Sequence, residues 1–585
     1  MTRHPDMTPA QYHAISSTTF SQMMALMHGS HPTPQEAAAR PASIRPFSLA
    51  AATPPARPFG YICDVQSEVL PESPQTVAAL KALGLAMAME TSAIGAGFAS
   101  INPTGYTYWG QFLDHDLTAA TDRTPRFELA KDDIKPFDRN TVIGLLDNER
   151  TPAFDLDSVY GHPEGPFQAD LPRVVAFYDP ADRAKFRIGD LDPELPEGAV
   201  IPEPGLGLDR DLPRNIGQAV DPNLPASSAV IGDGRNDENL IIAQFHLTFL
   251  KFHNAVVNAL RAENAAADPL EIFRLARRET ILHHQWLVVN DFLVTLLDRA
   301  TVDGLLASPP HPFFAQGGGK IMSVEFSTAA YRFGHSMVSS IYDFNINFGT
   351  GGMFQQQATF EDIFVFTGRG ATIDPRMADK LPAIWVIEWE RFFFDRATQT
   401  SEMRFARKID PHLALPLANM INERLIPQRP EDADAIAEAA AQNVSVQAFN
   451  QLMVHLAQRN LLRGYLFSLP TGQAAARAFN VPALTQEQLT AGLSADFVSI
   501  LTTAGFLDST PLWFYILQES AVLKSGDGLG PVGGEIVGQT FISLLKRDAD
   551  SYINTSWTPD QGIVRRSGRA FDSIMDFQRF SGVRQ

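Results

Sequence analysis

Gly110-Gln111-Phe112-Leu113-Asp114-His115-Asp116-Leu117-Thr118 is the stretch on which the reading of this chain turns. A helix is expected over Tyr108–Leu117. It sets Gln111 one turn above His115 on a single face and swings Asp114 and Asp116 about 100° to either side. An imidazole flanked by carboxylates is composed like a general base. The same residues also suit a helix turn whose acids sit near the positive dipole end, with the histidine in water. Taken alone, the stretch leaves both readings open.

Two more clusters follow in the chain. Gly232-Asp233-Gly234-Arg235-Asn236-Asp237-Glu238-Asn239 stands before a long apolar run. It reads by itself as a turn and helix cap, with Asn236 or Asp237 capping and Glu238 in the first turn. Tyr331-Arg332-Phe333-Gly334-His335-Ser336 puts one histidine into an apolar helix. That ring is either a hydrogen-bonded core residue or a ligand, and Gly334 would let a flat bulky group approach the backbone.

Outward from these clusters, apolar residues recur at helical spacing. Helices are expected over Ser73–Met89, from Glu238 onward, and over Glu271–Leu297, Ser323–Tyr342, Pro382–Arg396, Val444–Phe467, Thr485–Thr503 and Gly533–Lys546. Asp122–Gly232, dense in Pro, Gly and Asp, reads mostly as loop. There is no internal repeat and no sustained alternation of the kind strands need. With 45% hydrophobic and only 19% charged residues in 585, the chain suits one large helical body. The expected fold is mainly α, with long irregular loops and little β-structure. The body is a single domain over residues 61–585, preceded by a Pro/Ala-rich arm over residues 1–60.

Lys+Arg 47 against Asp+Glu 66 gives a net charge of −19. Such a surface repels phosphate backbones and anionic membranes, which argues against nucleic acid as a partner. A lone cysteine, Cys63, rules out an internal disulfide and any cysteine cage for zinc or iron–sulfur. Histidines and carboxylates are left to carry any metal chemistry. The first thirty residues lack a basic start followed by an apolar run. The least charged long stretch, Thr91–Leu113, is broken by Gly, Ser, Asn102 and Pro103, short of the roughly 20 apolar residues a membrane helix needs. No membrane span is expected, and cytoplasmic residence is the default, with signal-independent export left open. Oligomeric state is not legible.

Together and in this order the three clusters resemble the animal haem peroxidases of the peroxidase–cyclooxygenase superfamily, in particular bacterial members. Gly110–Thr118 is similar to the distal-histidine motif, Gly232–Asn239 to the distal-arginine motif and Ala330–Ser336 to the proximal-histidine motif. Asn460–Pro470 (N-L-L-R-G-Y-L-F-S-L-P) resembles the asparagine–arginine segment, although Tyr465-Leu466-Phe467 replaces the usual R-D-H. Leu529–Val537 (L-G-P-V-G-G-E-I-V) resembles the C-terminal segment. The resemblance spans about Tyr61 to Asp548.

It implies haem b or an ester-linked derivative, held by His335 as the iron's axial ligand with Asn460 fixing that ring. His115 would serve as acid–base, Arg235 as charge stabiliser and Gln111 as holder of a distal water or anion. Arg332 or Arg463 would pair with propionates. Asp114 and Glu238 match the carboxylates that mammalian peroxidases esterify to haem, whereas Asn239 stands where their sulfonium link needs methionine. Thr151-Pro152-Ala153-Phe154-Asp155-Leu156-Asp157-Ser158 resembles the family's Ca²⁺ loop, with Asp116, Thr151, the Ala153 carbonyl, Asp155 and Asp157 as oxygen ligands. The implied activity is reduction of hydrogen peroxide through a ferryl intermediate, with oxidation of a small organic or halide donor. The first alternative is a haem-dependent fatty-acid dioxygenase. Its radical tyrosine would lie three residues before His335, where this chain has Arg332, with Tyr331 one residue further. The second alternative is a non-catalytic haem-binding protein, which would have no need of His115 and Arg235.

Overall fold

The computed structural model describes residues 58–585 apart from 66–67, 89–98, 120–122, 132, 168–171, 217–219, 221–226, 265, 317–320, 369–379, 401–402, 421–422 and 428–431. Of the expected arm over 1–60, all but Pro58, Phe59 and Gly60 lies outside the described residues. The helices that frame the site are α1 (Pro74–Met87), α2 (Gly105–Leu117), α3 (Leu240–Glu263), α4 (Pro269–Leu287), α5 (Val324–Thr328), α6 (Leu456–Leu466), α7 (Leu512–Lys524), α8 (Pro531–Arg547) and α9 (Ile574–Ser581). The described strands are short pairs: Phe59–Gly60 with Met322–Ser323, Ala99–Pro103 with Phe405–Arg407, and Ile341–Tyr342 with Ala358–Thr359. The fold is mainly α, as expected, and the stretch before α3 is largely loop with short helical turns.

α3 is the centre of the core. Asn239, rather than Asn236 or Asp237, caps it by accepting the Ile242 N–H at 3.0 Å. Its 24 residues are long and apolar enough to cross a membrane, but 83% of its most apolar window is buried in protein. The helix is apolar all round because protein surrounds it. Phe252 stacks on Phe577 of α9 at 3.7 Å, and Phe249 stacks on Phe112 of α2 at 4.3 Å. The second stack fixes the helix that carries His115. Phe112→Ala would cost about 3–5 kcal/mol by opening a cavity there. At its other end α2 starts on a glycine, because a Cβ on Gly105 would lie 2.5 Å from the Phe393 ring.

Several expected helices come out shorter or broken, each for a local reason. Ser323–Tyr342 divides into α5, a 3₁₀ turn over Ala330–His335 and a strand. Arg332 folds its Nε–H back to the Ser327 carbonyl at 3.1 Å and Ser336 donates to the Phe333 carbonyl, so side chains take carbonyls an α-helix would use. Pro382–Arg396 holds only isolated 3₁₀ turns, because Asn345 donates to the Ile384 and Val386 carbonyls and keeps that backbone open. Val444–Phe467 splits at His455, whose side chain caps α6. Thr485–Thr503 splits at Gly492, where φ is +75°. The expected Glu271–Leu297 helix is present but passes through one π turn, Val288–Leu293. α7 was not among the expected helices: Leu512–Ser520 are all buried, so no apolar stripe marks it.

The Leu529–Val537 segment gains a structural explanation. Buried Glu519 of α7 accepts the N–H groups of Val532 and Gly533 at the start of α8, at 2.9 and 3.2 Å. A Cβ on Gly530 would sit 2.4 Å from the Glu519 side chain. The glycine is therefore required by close approach. At the other end of the chain, Glu325 of α5 accepts the N–H groups of Ile62 and Cys63 and ties the first described residues beside the His335 segment.

Candidate functional site

α2 presents Gln111 and His115 on one face, and both reach Glu238. The Gln111 amide donates to Glu238 Oε1, and His115 Nε2 stands 3.9 Å from the same oxygen. Asn239 donates to Gln111 Oε1 at 3.1 Å, so that side chain is held at both ends. Asp114 turns to the Thr118 hydroxyl at 2.8 Å, while Asp116 leaves on another face for Ser158 and Leu156. Burial, and after it the Arg235 charge, lowers the His115 pKa against the pull of Glu238, Asp233 and Asp114. The ring is neutral near pH 7. Its Nδ1 meets Asn236 Oδ1 at 2.7 Å, so the proton sits on Nδ1 and Nε2 keeps a lone pair.

Arg235 lies against the C-terminal end of α2. Its guanidinium donates to the His115 and Thr118 carbonyls at 2.9 and 2.8 Å and to Asp233 through Nε and Nη2. One Nη1 hydrogen is left over by these bonds. Asp233 is buried and also pairs with Arg150 at 2.7 Å. Burial alone would raise its pKa, but Arg150 and then Arg235 outweigh it and hold the carboxyl far below the usual range. Arg150 bridges onward to Asp157 at 3.4 Å.

On the other side, His335 Nδ1 faces the Asn460 amide nitrogen at 2.8 Å. The Asn460 oxygen receives Arg332 at 3.2 Å. Arg332 turns the amide oxygen away from the ring, so the Asn460 N–H donates to Nδ1 and the proton of the neutral imidazole lies on Nε2. His335 Nε2 has no partner among the described residues. Burial, and then Arg332, Arg459 and Arg463, push the His335 pKa far down and keep the imidazole neutral. Arg463 is half-buried on α6, one turn from Asn460.

Protein encloses these groups, yet they keep accessible surface. Arg235 retains 28% and Glu238 27% of the side chain, and Gln111, Asp114, Gly334 and His335 are half-buried. Nothing lies within 4 Å of where a Cβ on Gly334 would stand. The turn that carries His335 thus has open space at Gly334. The two halves meet at Tyr331, whose buried hydroxyl has no partner among the described residues and lies 3.8 Å from where a Cβ on Gly110 would stand.

Ligand oxygens of Asp116, Asp155 and Asp157 lie within 4.8 Å of one another. Burial and mutual repulsion raise the pKa of Asp116 well above normal and that of Asp155 to about 7. Thr151 enters this loop through its N–H, donated to Asp157 at 3.1 Å, and its carbonyl takes the Ala153 N–H. Asn236, His246, Asp233, Arg150 and Arg459 did not emerge as site residues from the sequence. Asn236 and Asp233 were visible inside a quoted motif but read as turn residues. His246 and Arg150 carried no local signal, since only folding brings them there.

Residues 201–371 match the family model described as animal haem peroxidase. A peroxidase-like protein of Margaritifera margaritifera is 25% identical over 292 residues, 46% of this chain and 36% of the relative. Human thyroid peroxidase is 26% identical over 166 residues, 27% of this chain and 17% of the relative. The matches thus cover about a third or less of these relatives' lengths. Peroxidase A from Dictyostelium discoideum has the same fold at TM-score 0.55 and 16% identity, covering 91% of this chain and 96% of that one. Oryza sativa fatty acid alpha-dioxygenase shares it at TM-score 0.53 and 15% identity, covering 87% and 79%. The likeness to the animal haem peroxidase family is thus carried by residues 201–371.

Proposed function

We propose that this chain is a haem peroxidase that reduces hydrogen peroxide and oxidises a small organic or halide donor. The observation that carries the reading is a neutral His115 with its Nε2 lone pair free, beside an anchored Arg235 cation. The residues fit an iron porphyrin. The open space at Gly334 would admit a flat group beside His335, and iron binding through Nε2 would require the Asn460 amide to turn its oxygen to Nδ1 and take the ring proton there. Arg332 and Arg463 would take propionates, with Arg459 beside them. The bound haem supplies the redox chemistry, accepting two oxidising equivalents from peroxide and releasing them to the donor. His115 Nε2 would accept a proton from hydrogen peroxide and return it to the oxygen that leaves as water. The remaining Nη1 hydrogen of Arg235 stabilises the charge on that departing oxygen, and Gln111 holds water or an anion nearby. Asn460 orients the His335 ring through Nδ1.

Asp114 and Glu238 would be the carboxylates for ester attachment, Asp114 beside His115 on α2 and Glu238 3.9 Å from its Nε2. The Asp116, Asp155 and Asp157 group takes Ca²⁺, with Asp116 tying that ion to the helix of His115. The haem-binding domain is assigned to residues 61–585, with residues 1–60 as an appended arm, and cytoplasmic residence is retained as a proposal.

Fatty-acid dioxygenation is a second reading, favoured by the unpartnered Tyr331 hydroxyl. One experiment separates the two. Stopped-flow absorbance with peroxide and oxygen uptake with linoleate are measured on wild type, His115→Ala, Arg235→Ala and Tyr331→Phe. The peroxidase reading expects His115→Ala to slow the peroxide step by about 10²–10⁴-fold, with Tyr331→Phe near wild type. Rapid oxygen uptake lost in Tyr331→Phe overturns it. His335→Ala should abolish haem binding in the same series.

A further inference from the structure

Gln111 lies one turn before His115 on α2 and keeps accessible surface. What it offers to a ligand beside His115 depends on which end of its amide carries the hydrogens. The oxygen only accepts and the nitrogen only donates, so the two orientations present opposite chemistry. Nothing on α2 itself decides between them.

The choice is made at the start of α3. The backbone N–H of Ile242 can only donate, and it donates to Asn239 Oδ1 at 3.0 Å. That bond leaves Nδ2 as the other end of the Asn239 amide, and Nδ2 donates to Gln111 Oε1 at 3.1 Å. Gln111 Nε2 in turn gives one of its two hydrogens to Glu238 Oε1, a carboxylate oxygen that only accepts. Turning Gln111 over would set nitrogen against nitrogen at Asn239 and oxygen against oxygen at Glu238. Asn239 is buried, where such a mismatch is costly. Every link from the backbone N–H to the carboxylate therefore runs one way. Aspartate would cap α3 as well as asparagine does, but it would show Gln111 an acceptor in place of a donor. The second Nε2 hydrogen of Gln111 is taken by no described residue. Glu238 Oε1, which takes the first, stands 3.9 Å from His115 Nε2.

We propose that Asn239 holds Gln111 as a hydrogen-bond donor to a ligand lying against His115. In turnover that ligand is the peroxide oxygen that leaves, so Gln111 shares its developing charge with Arg235. Asn239 is a positioning residue that acts only through Gln111. The identity of the ligand rests on the peroxidase reading, whereas the polarity of the amide does not.

The test uses the haem-loaded full chain, with carbon monoxide on the reduced iron as a neutral probe. A donor facing the oxygen of bound carbon monoxide draws electron density into the C–O antibonding orbital and lowers the stretching frequency; an acceptor there raises it. Infrared spectra and the rate with peroxide are measured on wild type, Gln111→Leu, Asn239→Asp and Asn239→Gly, and on both Asn239 variants combined with Gln111→Leu. Asp caps a helix as well as Asn, and Gly nearly as well, so α3 is kept in each. Gln111→Leu should raise the stretch and slow the peroxide step about tenfold, one hydrogen bond's worth. Asn239→Asp should do the same and Asn239→Gly somewhat less. On top of Gln111→Leu neither should shift the stretch further or change the rate by more than about twofold. An Asn239→Asp effect of equal size in both backgrounds overturns the proposal, because the added charge then acts directly. An unshifted stretch in Gln111→Leu overturns it too. Should Asn239→Asp fail to load haem, Asn239→Gly in the two backgrounds decides alone. A wild type whose stretch depends on Gln111 but which does not react with peroxide refutes the peroxidase reading and leaves the polarity of Gln111 standing. A wild type that takes up no haem refutes both.

Discussion

Asp233→Asn is the sharpest perturbation the structure offers, because it changes one charge and almost no volume. The carboxylate is buried between two guanidiniums, at 2.7 Å from Arg150 and 2.7 Å from Arg235, and also accepts the Arg235 backbone N–H at 2.9 Å. Opposite charges this close are worth about 4 kcal/mol each at an effective dielectric near 20. Much of that offsets desolvation, and removing one partner from such a group typically costs about 3–5 kcal/mol. We expect about 4 kcal/mol, because Arg150 is left buried with Asp157 at 3.4 Å as its remaining ion pair and the Gly232 carbonyl at 3.5 Å. A depressed carboxylate pKa contributes stability that is whole above the unfolded value and is lost as pH falls, so the full effect is present at pH 7. Denaturant unfolding of the haem-loaded protein measures it. The Arg150→Gln, Asp233→Asn double variant should lose less than the sum of the singles. The rate with peroxide should fall at least about tenfold, because Arg235 would lose its Nε anchor. A stability loss under about 1 kcal/mol with an unchanged peroxide rate would refute the claim that Asp233 holds Arg235 in place.

Glu519 is raised from 4.5 to about 7 by burial, so its folded form holds a proton that the unfolded chain releases, and stability should fall as pH rises between these values, by about 3 kcal/mol. Glu519→Gln keeps an acceptor for α8 and should flatten that part of the pH–stability curve; a slope identical to wild type would count against it. Peroxide treatment should make the haem resist acid–acetone extraction, and Asp114→Asn with Glu238→Gln should restore extraction; complete extraction from treated wild type would rule out ester attachment. Chelation should lower thermal stability, by about 2.7 kcal/mol if the ion is normally present at 100 times its Kd, and Asp155→Asn should remove that sensitivity; a chelator effect that persists in the variant would place the ion elsewhere.

Much of the fold was legible where apolar residues fall on one side of a helix. α1 was expected near its observed bounds and α2 within three residues at its start, because capping and one-sided burial are local properties, while α3 was marked at its start by the length of its apolar run. Pro382–Arg396 and Ser323–Tyr342 were misread for the opposite reason. Their apolar residues recur at helical spacing, but distant or backward side-chain bonds, from Asn345 and Arg332, claim their carbonyls. α7 escaped notice because a helix buried on all sides has no period to detect.

For the site, the sequence alone singled out the residues proposed to carry the chemistry: His115 with Gln111 one turn away, Arg235, His335 and Asn460 each stand in a short contiguous motif. Only the tertiary structure decided how they are held. Asn236 was read as a helix cap and proved to be the partner of His115 Nδ1, while His246, ten residues on, gave no signal in the chain at all. The Asp233–Arg150 pair joins residues 83 positions apart in number. A motif records the identity of a reacting group, because that group must be of one chemical type. Its orientation is set by buried hydrogen bonds whose partners come from anywhere in the chain, and those are fixed only when the core closes around them.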